Sequence, residues 1–324
     1  MTISSALQFS PVLTQIAVGY QNSGFLFDEL FPPIITDTEA FRYVEHAATA
    51  AFDVYNDRSD QDSDVPAVKS SSSLVSGLTL DYSLREAVNA LVEQASGQVG
   101  FSQKARTTRK LLGHQALNRE IRLATELTTD SNFPSANILT AGAGASPAKW
   151  DQTSATPIKD CLSMIDLLPT VPGGRRIGIF SLPAWRALSV HVTVTNAFQY
   201  VMVGGVVAPE SMLPVLGLDE IRIMRAQYQT GAPNGAASAL SLTRLMGDDV
   251  AFIVEPGAST GGDMEMPAWA YNFRLRVKGQ TLPVYTYEAP QRGGHGSTWV
   301  QVACNEVFIV VGEPYGARIK DTTT

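Results

Sequence analysis

The stretch that most constrains this chain is Lys104–Thr129 (KARTTRKLLGHQALNREIRLATELTT), which contains no proline and a single glycine, Gly113. A run of that length and composition predicts one long helix. From Ala116 onward it reads as amphipathic. Leu117, Ile121 and Ala124 share a face that Ala116, Leu123 and Leu127 widen, and Arg119, Arg122 and Glu126 fall opposite. Upstream the register slips, because Arg106 and Lys110 would project along the apolar stripe if the helix ran straight. Gly113 is therefore expected to mark a bend, since glycine weakens a helix interior by roughly 1 kcal/mol relative to alanine.

A 324-residue chain has room for one large core or two modest ones. Charged residues make up 17% and hydrophobic residues 44%, which predicts surface covered by something other than water, as in an oligomer. The net charge of −7 argues against a strongly basic, nucleic-acid-gripping surface. Cys161 and Cys304 lie far apart and outside any CxxC spacing, so neither a metal site nor a disulfide framework is indicated, and a reducing compartment is the expectation. The N-terminal residues MTISSALQFSPVLTQIAVGY have no basic leader and no long apolar run, so neither export nor a membrane span is expected, and synthesis in the cytosol is.

Residues 1–36 carry isolated apolar anchors (Leu13, Ile16, Val18, Phe25, Leu26, Phe27, Leu30, Phe31) and end in Phe31-Pro32-Pro33, which favours an extended path. Such an arm must bury its aromatics against a body, its own or a neighbour's. Phe41, Tyr43, Phe52, Val54 and Tyr55 suggest a strand pair leading into an acidic, serine-rich loop. In that loop Asp57, Asp60, Asp62 and Asp64 face Arg58 and Lys69. Three readings are open there. It is a solvated loop, a hairpin that docks on another subunit, or a calcium loop, although the turn glycine and closing glutamate of an EF-hand are missing.

Asp81–Glu93 reads as a short helix, with Leu84, Val88 and Leu91 at i, i+4 and i+7. Residues 130–157 form a Pro/Gly/Ser/Ala-rich connector. An α/β alternation follows, with helices at Ile158–Leu168, Pro183–Val190 and Pro209–Leu216 and strands at Arg176–Phe180, Glu220–Ala226 and Asp249–Val254, the last after a glycine-rich loop at Gly231–Ala237. From Ala268 to Ile319 the sequence turns to β.

Sites for chemistry are scarce. His46, His114, His191 and His295 show no metal-ligand spacing. Gly294-His295-Gly296-Ser297 has its serine in the wrong place for a nucleophile elbow, and Gly173-Gly174-Arg175-Arg176 lacks the phosphate-loop lysine, so both read as turns. Gly142 and Gly144 lack the third glycine of a dinucleotide loop. What stands out is segregated charge, with Lys104, Arg106, Arg109, Lys110, Arg119 and Arg122 on the rod and the aspartates in the hairpin. Helix solvation, docking between copies and contact with a packed polyanion all account for it.

The order of parts resembles the Hong Kong 97-like capsid fold, and a tailed-bacteriophage major capsid protein in particular. The residues that carry the likeness are Leu13–Tyr20 with Phe31-Pro32-Pro33, Thr156-Pro157-Ile158, Ile179–His191, Gly204–Leu216 and Gly217–Thr230. The resemblance implies an α+β chain divided into an N-terminal arm (1–36), an extended loop (37–82), a peripheral domain (83–151) with its spine helix over about 104–129, an axial domain (152–267) and a β return to the peripheral domain (268–324). It implies pentamers and hexamers tiling an icosahedral shell around double-stranded DNA, with an encapsulin-like cellular compartment as the alternative.

The expected partners are copies of the chain itself, a portal protein, a separate scaffolding protein, a decoration protein and DNA bound without sequence specificity. No cofactor, metal, membrane or catalytic residue is implied. The expected inter-subunit contacts are Phe25, Phe27 and Phe31 in the arm, Asp57, Arg58, Asp60, Asp62, Asp64 and Lys69 in the loop, and Arg106, Arg109, Lys110, Arg119 and Arg122 on the rod. Lys69 lies in the loop that is covalently cross-linked in the founding member, but no partner for it can be identified here.

Overall fold

A computed structural model describes residues 8–18, 24–46, 72–98, 102–171, 173–198, 206–230, 241–256 and 267–324. The chain opens with strand β1 (Gln8–Phe9), helix α1 (Pro11–Val18), the one-turn helix α2 (Phe27–Leu30) and strand β2 (Ile34–Thr36). Strands β3 (Ala40–His46) and β4 (Ser72–Leu78) pair antiparallel as a hairpin, so the partner of the Phe41–Tyr43 segment is residues 72–78. Phe52, Val54, Tyr55, Asp57, Arg58, Asp60, Asp62, Asp64 and Lys69 lie outside the described residues, as does the loop Gly231–Ala237.

Strand β5 (Leu80–Asn89) and helix α3 (Ala90–Gln98) occupy the segment expected to be a single helix. The misreading has a simple cause. A spacing of four fits a helical turn and also two strand repeats, so Leu84 and Val88 share a face either way. Leu91, one helical period on, belongs to the next element.

The long helix α4 (Gln103–Thr128) is continuous, and the Ser102 hydroxyl caps it by accepting the Ala105 N–H at 3.3 Å. Its apolar face is not where the sequence suggested. Thr108, Leu112, Gln115, Arg119, Leu123 and Leu127 are buried at intervals of three and four along the whole rod, while Leu117 and Ile121 are half-buried. With Arg119 and Glu120 inside, the stripe runs through Gly113 without slipping, and Arg106, Arg109 and Lys110 fall outside it, exposed. The register break arose from placing Arg119 on the solvent side and leaving Glu120 out of the pattern.

After strand β6 (Ile138–Thr140) come helix α5 (Pro157–Ile165), strand β7 (Gly174–Ser181), helices α6 (Leu182–Val190), α7 (Val192–Ala197) and α8 (Pro209–Leu216), and strand β8 (Glu220–Met224). Gly217, at φ +66°, ends α8 in the left-handed conformation that a side chain would strain. A small pair, β9 (Gln227–Gln229) and β10 (Leu242–Arg244), precedes β11 (Val250–Pro256), β12 (Ala270–Leu275), β13 (Val284–Ala289), β14 (Ser297–Val310) and β15 (Gly316–Lys320). Gly294–Ser297 forms the turn into β14, as its sequence suggested.

Two sheets result. The first runs β1-β13-β14-β12-β2, and β5 pairs along β14 as well. The second runs β6-β15-β11-β7-β8. The C-terminal β segment therefore divides, since β12 to β14 build the first sheet and β15 enters the second. The Trp269 N–H, just ahead of β12, donates to the Val254 carbonyl of β11 at 2.9 Å and joins the two. A side chain on Gly316 would collide with the Trp269 indole at 2.7 Å and with Phe133 at 2.8 Å, so the crossing needs that glycine.

One apolar core spans both sheets, containing Leu123 and Leu127 of α4, Trp269, Ile177, Phe252 and Ile319. Phe27, Leu30 and Phe31 of the arm belong to it, and Leu13 and Ala17 of α1 pack on Leu111 and Leu112 of α4. The described part of the arm thus uses its own body. Phe27→Ala is expected to cost about 3–5 kcal/mol in urea unfolding of the isolated subunit. Val12→Ala, at a position 69% exposed, should stay within about 0.5 kcal/mol of wild type. Equal effects would mean the arm does not pack this way.

Candidate functional site

The arm is seated on the rod by buried charge. Among the described residues no cation lies against Glu120 of α4. Its carboxylate accepts the N–H groups of Leu26, at 3.1 and 3.0 Å to its two oxygens, and of Phe27 at 2.9 Å. Those donors open α2 and have no partner within it, so the carboxylate supplies one. Burial pushes the Glu120 carboxyl up, against the pull of the N–H bonds.

Beside it, three guanidinia converge on Glu306 of β14. Arg119 Nε lies 2.8 Å from one oxygen and Arg274 Nη2 2.9 Å from the other, while Arg122 adds a third contact. Asp28 of α2 takes second bonds from Arg119 and Arg274, each at 3.2 Å. Burial alone would raise the Glu306 carboxyl, but Arg119, Arg274 and Arg122 outweigh it and hold it below its usual range. The Cys304 thiol alongside is pushed up to about 11, by burial first and then by Glu306, so it stays protonated at neutral pH and is a poor nucleophile.

Several side chains expected at subunit contacts have partners within their own chain. Arg119 is consumed within its own chain, and Arg122 pairs with Glu306 and stacks 3.9 Å over the Tyr82 ring. Phe27 and Phe31, 2% and 3% exposed, pack on Phe308 at 5.4 and 4.9 Å and are likewise occupied. Phe25 is half-buried. Arg106 and Arg109 remain exposed, and Lys110 pairs with Glu86 at 2.9 Å on the surface. Asp28, Glu120, Arg274 and Glu306 went unnoticed in the sequence. The only available signal was Glu120 and Arg119 interrupting an otherwise regular stripe.

The hairpin has two unlike faces. Phe41 and Tyr43 lie on Phe273, with ring centroids at 4.5 and 5.7 Å, and Val75 packs in the same cluster. On the opposite face Leu74 and Leu78, paired across from Val44 and Ala40, are 60% and 55% exposed. A second charge ladder crosses β11, β7 and β8 to reach the arm. Arg175 holds Glu255 at 2.6 Å and Glu220 at 3.4 Å, and Arg222 joins Glu220 to Glu29 of α2. Among the described residues no group of three His, Cys, Asp or Glu could hold a metal ion, and no helix is long and apolar enough to cross a membrane.

A scan against protein-family models finds no match. The chain is 22% identical over 249 residues to the major capsid protein of Pseudomonas phage JBD67, covering 75% of this chain and 76% of that one. Its fold matches a phage-related protein of Bordetella bronchiseptica RB50 with a TM-score of 0.73 at 17% identity, over 98% of both chains. It also matches the capsid of cyanophage P-SCSP1u with a TM-score of 0.51 at 11% identity, over 93% of this chain and 90% of that one.

Two measurements test the charge clusters. Glu306→Ala removes the shared partner of two buried guanidinia, Arg119 and Arg274, and of the half-buried Arg122, and should cost about 3–5 kcal/mol by urea unfolding. A loss under about 1 kcal/mol would mean the cluster is not closed. Glu255 sits at about 7, raised chiefly by burial with Arg175 opposing, so the folded chain holds a proton there that the unfolded chain releases near 4.5. Its contribution to stability is present below pH 4.5 and is lost as pH rises to about 7, by no more than about 3 kcal/mol and less where solvent screens it. Glu255→Gln should remove that slope from a pH series of melts.

Proposed function

We propose that this chain, which has the Hong Kong 97-like capsid fold, is the major capsid protein of a tailed double-stranded DNA bacteriophage, assembling as pentamers and hexamers into the icosahedral head. The observation that carries the reading is the sequence relative, a phage major capsid protein aligned over three quarters of the chain. The alternative is an encapsulin-like compartment, which shares the fold, and the sequence relative favours the phage.

The peripheral domain in this reading is the first sheet with α4, and the axial domain is the second sheet with its helices, β15 included. The chain works as a structural subunit of the virion, made in the host cytoplasm. Its partners are copies of itself, a portal, a separate scaffolding protein and a decoration protein. Packaged DNA is enclosed without sequence recognition, as befits a chain of net charge −7.

The physical support is the distribution of unsatisfied surface. Apolar hairpin residues left in water are a liability for a monomer and an asset for a lattice. Docking the acidic hairpin on the next subunit removes Leu74 and Leu78 from solvent. Repeating that contact around every capsomer closes a shell without any single contact being strong.

Purified protein should form large closed particles by electron microscopy and light scattering. Leu74→Glu combined with Leu78→Glu should keep the subunit's melting temperature and abolish the particles. A wild-type chain that stays monomeric or dimeric across assembly conditions, with or without scaffold, would overturn the reading.

A further inference from the structure

Among the described residues β5 pairs with β14 alone, and between it and the rod α4 lies a cleft of about 340 Å3, the size of a small-molecule site. Four of the side chains lining it, Gln115, Arg119, Cys304 and Glu306, are buried. Arg122, stacked over the Tyr82 ring, is half-buried and borders solvent. The Asp81 and Ser83 side chains alternate to the far face of the sheet, where Asp81 acts on Tyr285, so both meet the cleft through backbone.

Two demands are left open in this cleft. The first is an acceptor without a donor. Gln115 is 5% exposed, and its Nε2 donates to the Val302 carbonyl at 3.2 Å and to the Tyr82 carbonyl at 3.4 Å. Those two bonds fix which way the amide points, because a flipped amide would set its oxygen against both carbonyls. Oε1 is therefore the atom that remains, buried and with no partner among the described residues. Such an atom calls for an N–H or O–H.

The second demand is for negative charge. Arg119 commits Nε to Glu306 and Nη1 to Asp28, but its Nη2 has only the Cys304 sulfur at 3.4 Å, a weak acceptor. Arg122 gives Glu306 its Nη2 alone. Across the cluster the three guanidinia of Arg119, Arg122 and Arg274 stand against the two carboxylates of Glu306 and Asp28, so one positive charge is left over. Glu120 does not line the cleft, being held by the arm N–H groups.

We infer that this cleft binds a small oxyanion that also carries a hydroxyl, with the anionic oxygens accepting from Arg119 and Arg122 and the hydroxyl donating to Gln115 Oε1. Guanidinia recognise oxyanions through paired N–H groups. A ligand with acceptor oxygens only would turn lone pairs toward Oε1, and a water would satisfy Oε1 but not the surplus charge. Inorganic phosphate and hydroxycarboxylates share the required chemistry. Bound there, the anion ties β5, which follows directly on the hairpin strand β4, to the rod, and so stabilises the base of the hairpin by mass action.

Isothermal titration of the folded subunit with phosphate, sulfate, malate and succinate, at neutral pH and matched ionic strength, tests it. Phosphate keeps a P–OH and malate a C–OH, which sulfate and succinate lack. At least one hydroxylated anion should bind, and its hydroxyl-free counterpart should bind at least tenfold more weakly. Gln115→Met, close in size, should bring the members of that pair within about twofold. Arg122→Met should weaken the hydroxylated anion about tenfold. Should Gln115→Met fail to fold, the anion pairs and Arg122→Met decide alone. No binding of phosphate or malate up to about 10 mM, equal binding within each pair, or binding indifferent to Arg122→Met would each overturn the site. None of these results bears on the shell reading, which particle formation decides.

Discussion

A carboxylate as deeply buried as Glu306 can exist only if cations surround it, and that requirement organises the subunit. Its partners come from three places in the chain, Arg119 and Arg122 on the rod, Arg274 on β12 and, through them, Asp28 on the arm. None of these segments can shift far without exposing a charge to an apolar interior, where the cost is several kcal/mol. A purely hydrophobic junction would tolerate sliding, since dispersion contacts are not directional. Geometry is thus fixed where arm, rod and sheet meet. For a subunit repeated many times in a closed lattice, small errors in shape accumulate, so a fixed junction matters more than the last increment of stability.

The same logic joins the two sheets. The chain crosses between the two sheets at Trp269, ahead of β12, and at Gly316, the start of β15, and the arm ties them again, with Asp28 bonded on one side and Glu29 on the other. Arg318 of β15 extends this by binding the Thr128 carbonyl at the end of the rod together with Asp130 and Asp249. The result is one body with a continuous core. The apolar side of the hairpin, left unsatisfied, lies outward.

Much of this was legible in the sequence, and the failures share a cause. The rod, the helices at 183–190 and 209–216 and the three second-sheet strands around 176–180, 220–226 and 249–254 followed from periodicity and turn chemistry, because local pattern and tertiary burial agree there. Arg119 was misplaced and Glu120 passed over because a charged residue in a helix is ordinarily a solvated one. Only the distant partners Asp28, Arg274, Glu306 and the arm N–H groups make burial affordable, and nothing local announces them. Residues 81–89 failed for a different reason, since a four-residue repeat is common to both periods. The division of the C-terminal strands between two sheets is likewise invisible to any window shorter than the whole chain.

The expectation that arm aromatics reach a neighbour carried a hidden premise, that a segment too polar to fold alone must be ordered by another subunit. Phe27 and Phe31 show how the premise fails, because the subunit's own core had space for them beside Phe308 and Trp269. The hairpin differs in a way that physical reasoning can separate. Its inner residues find Phe273, but Leu74 and Leu78 across the pleat find nothing in the described chain. A two-stranded sheet has two faces and a monomer covers only one. The remaining face is where order must come from outside, and the arm, with its side chains already spent, is free to act as internal structure.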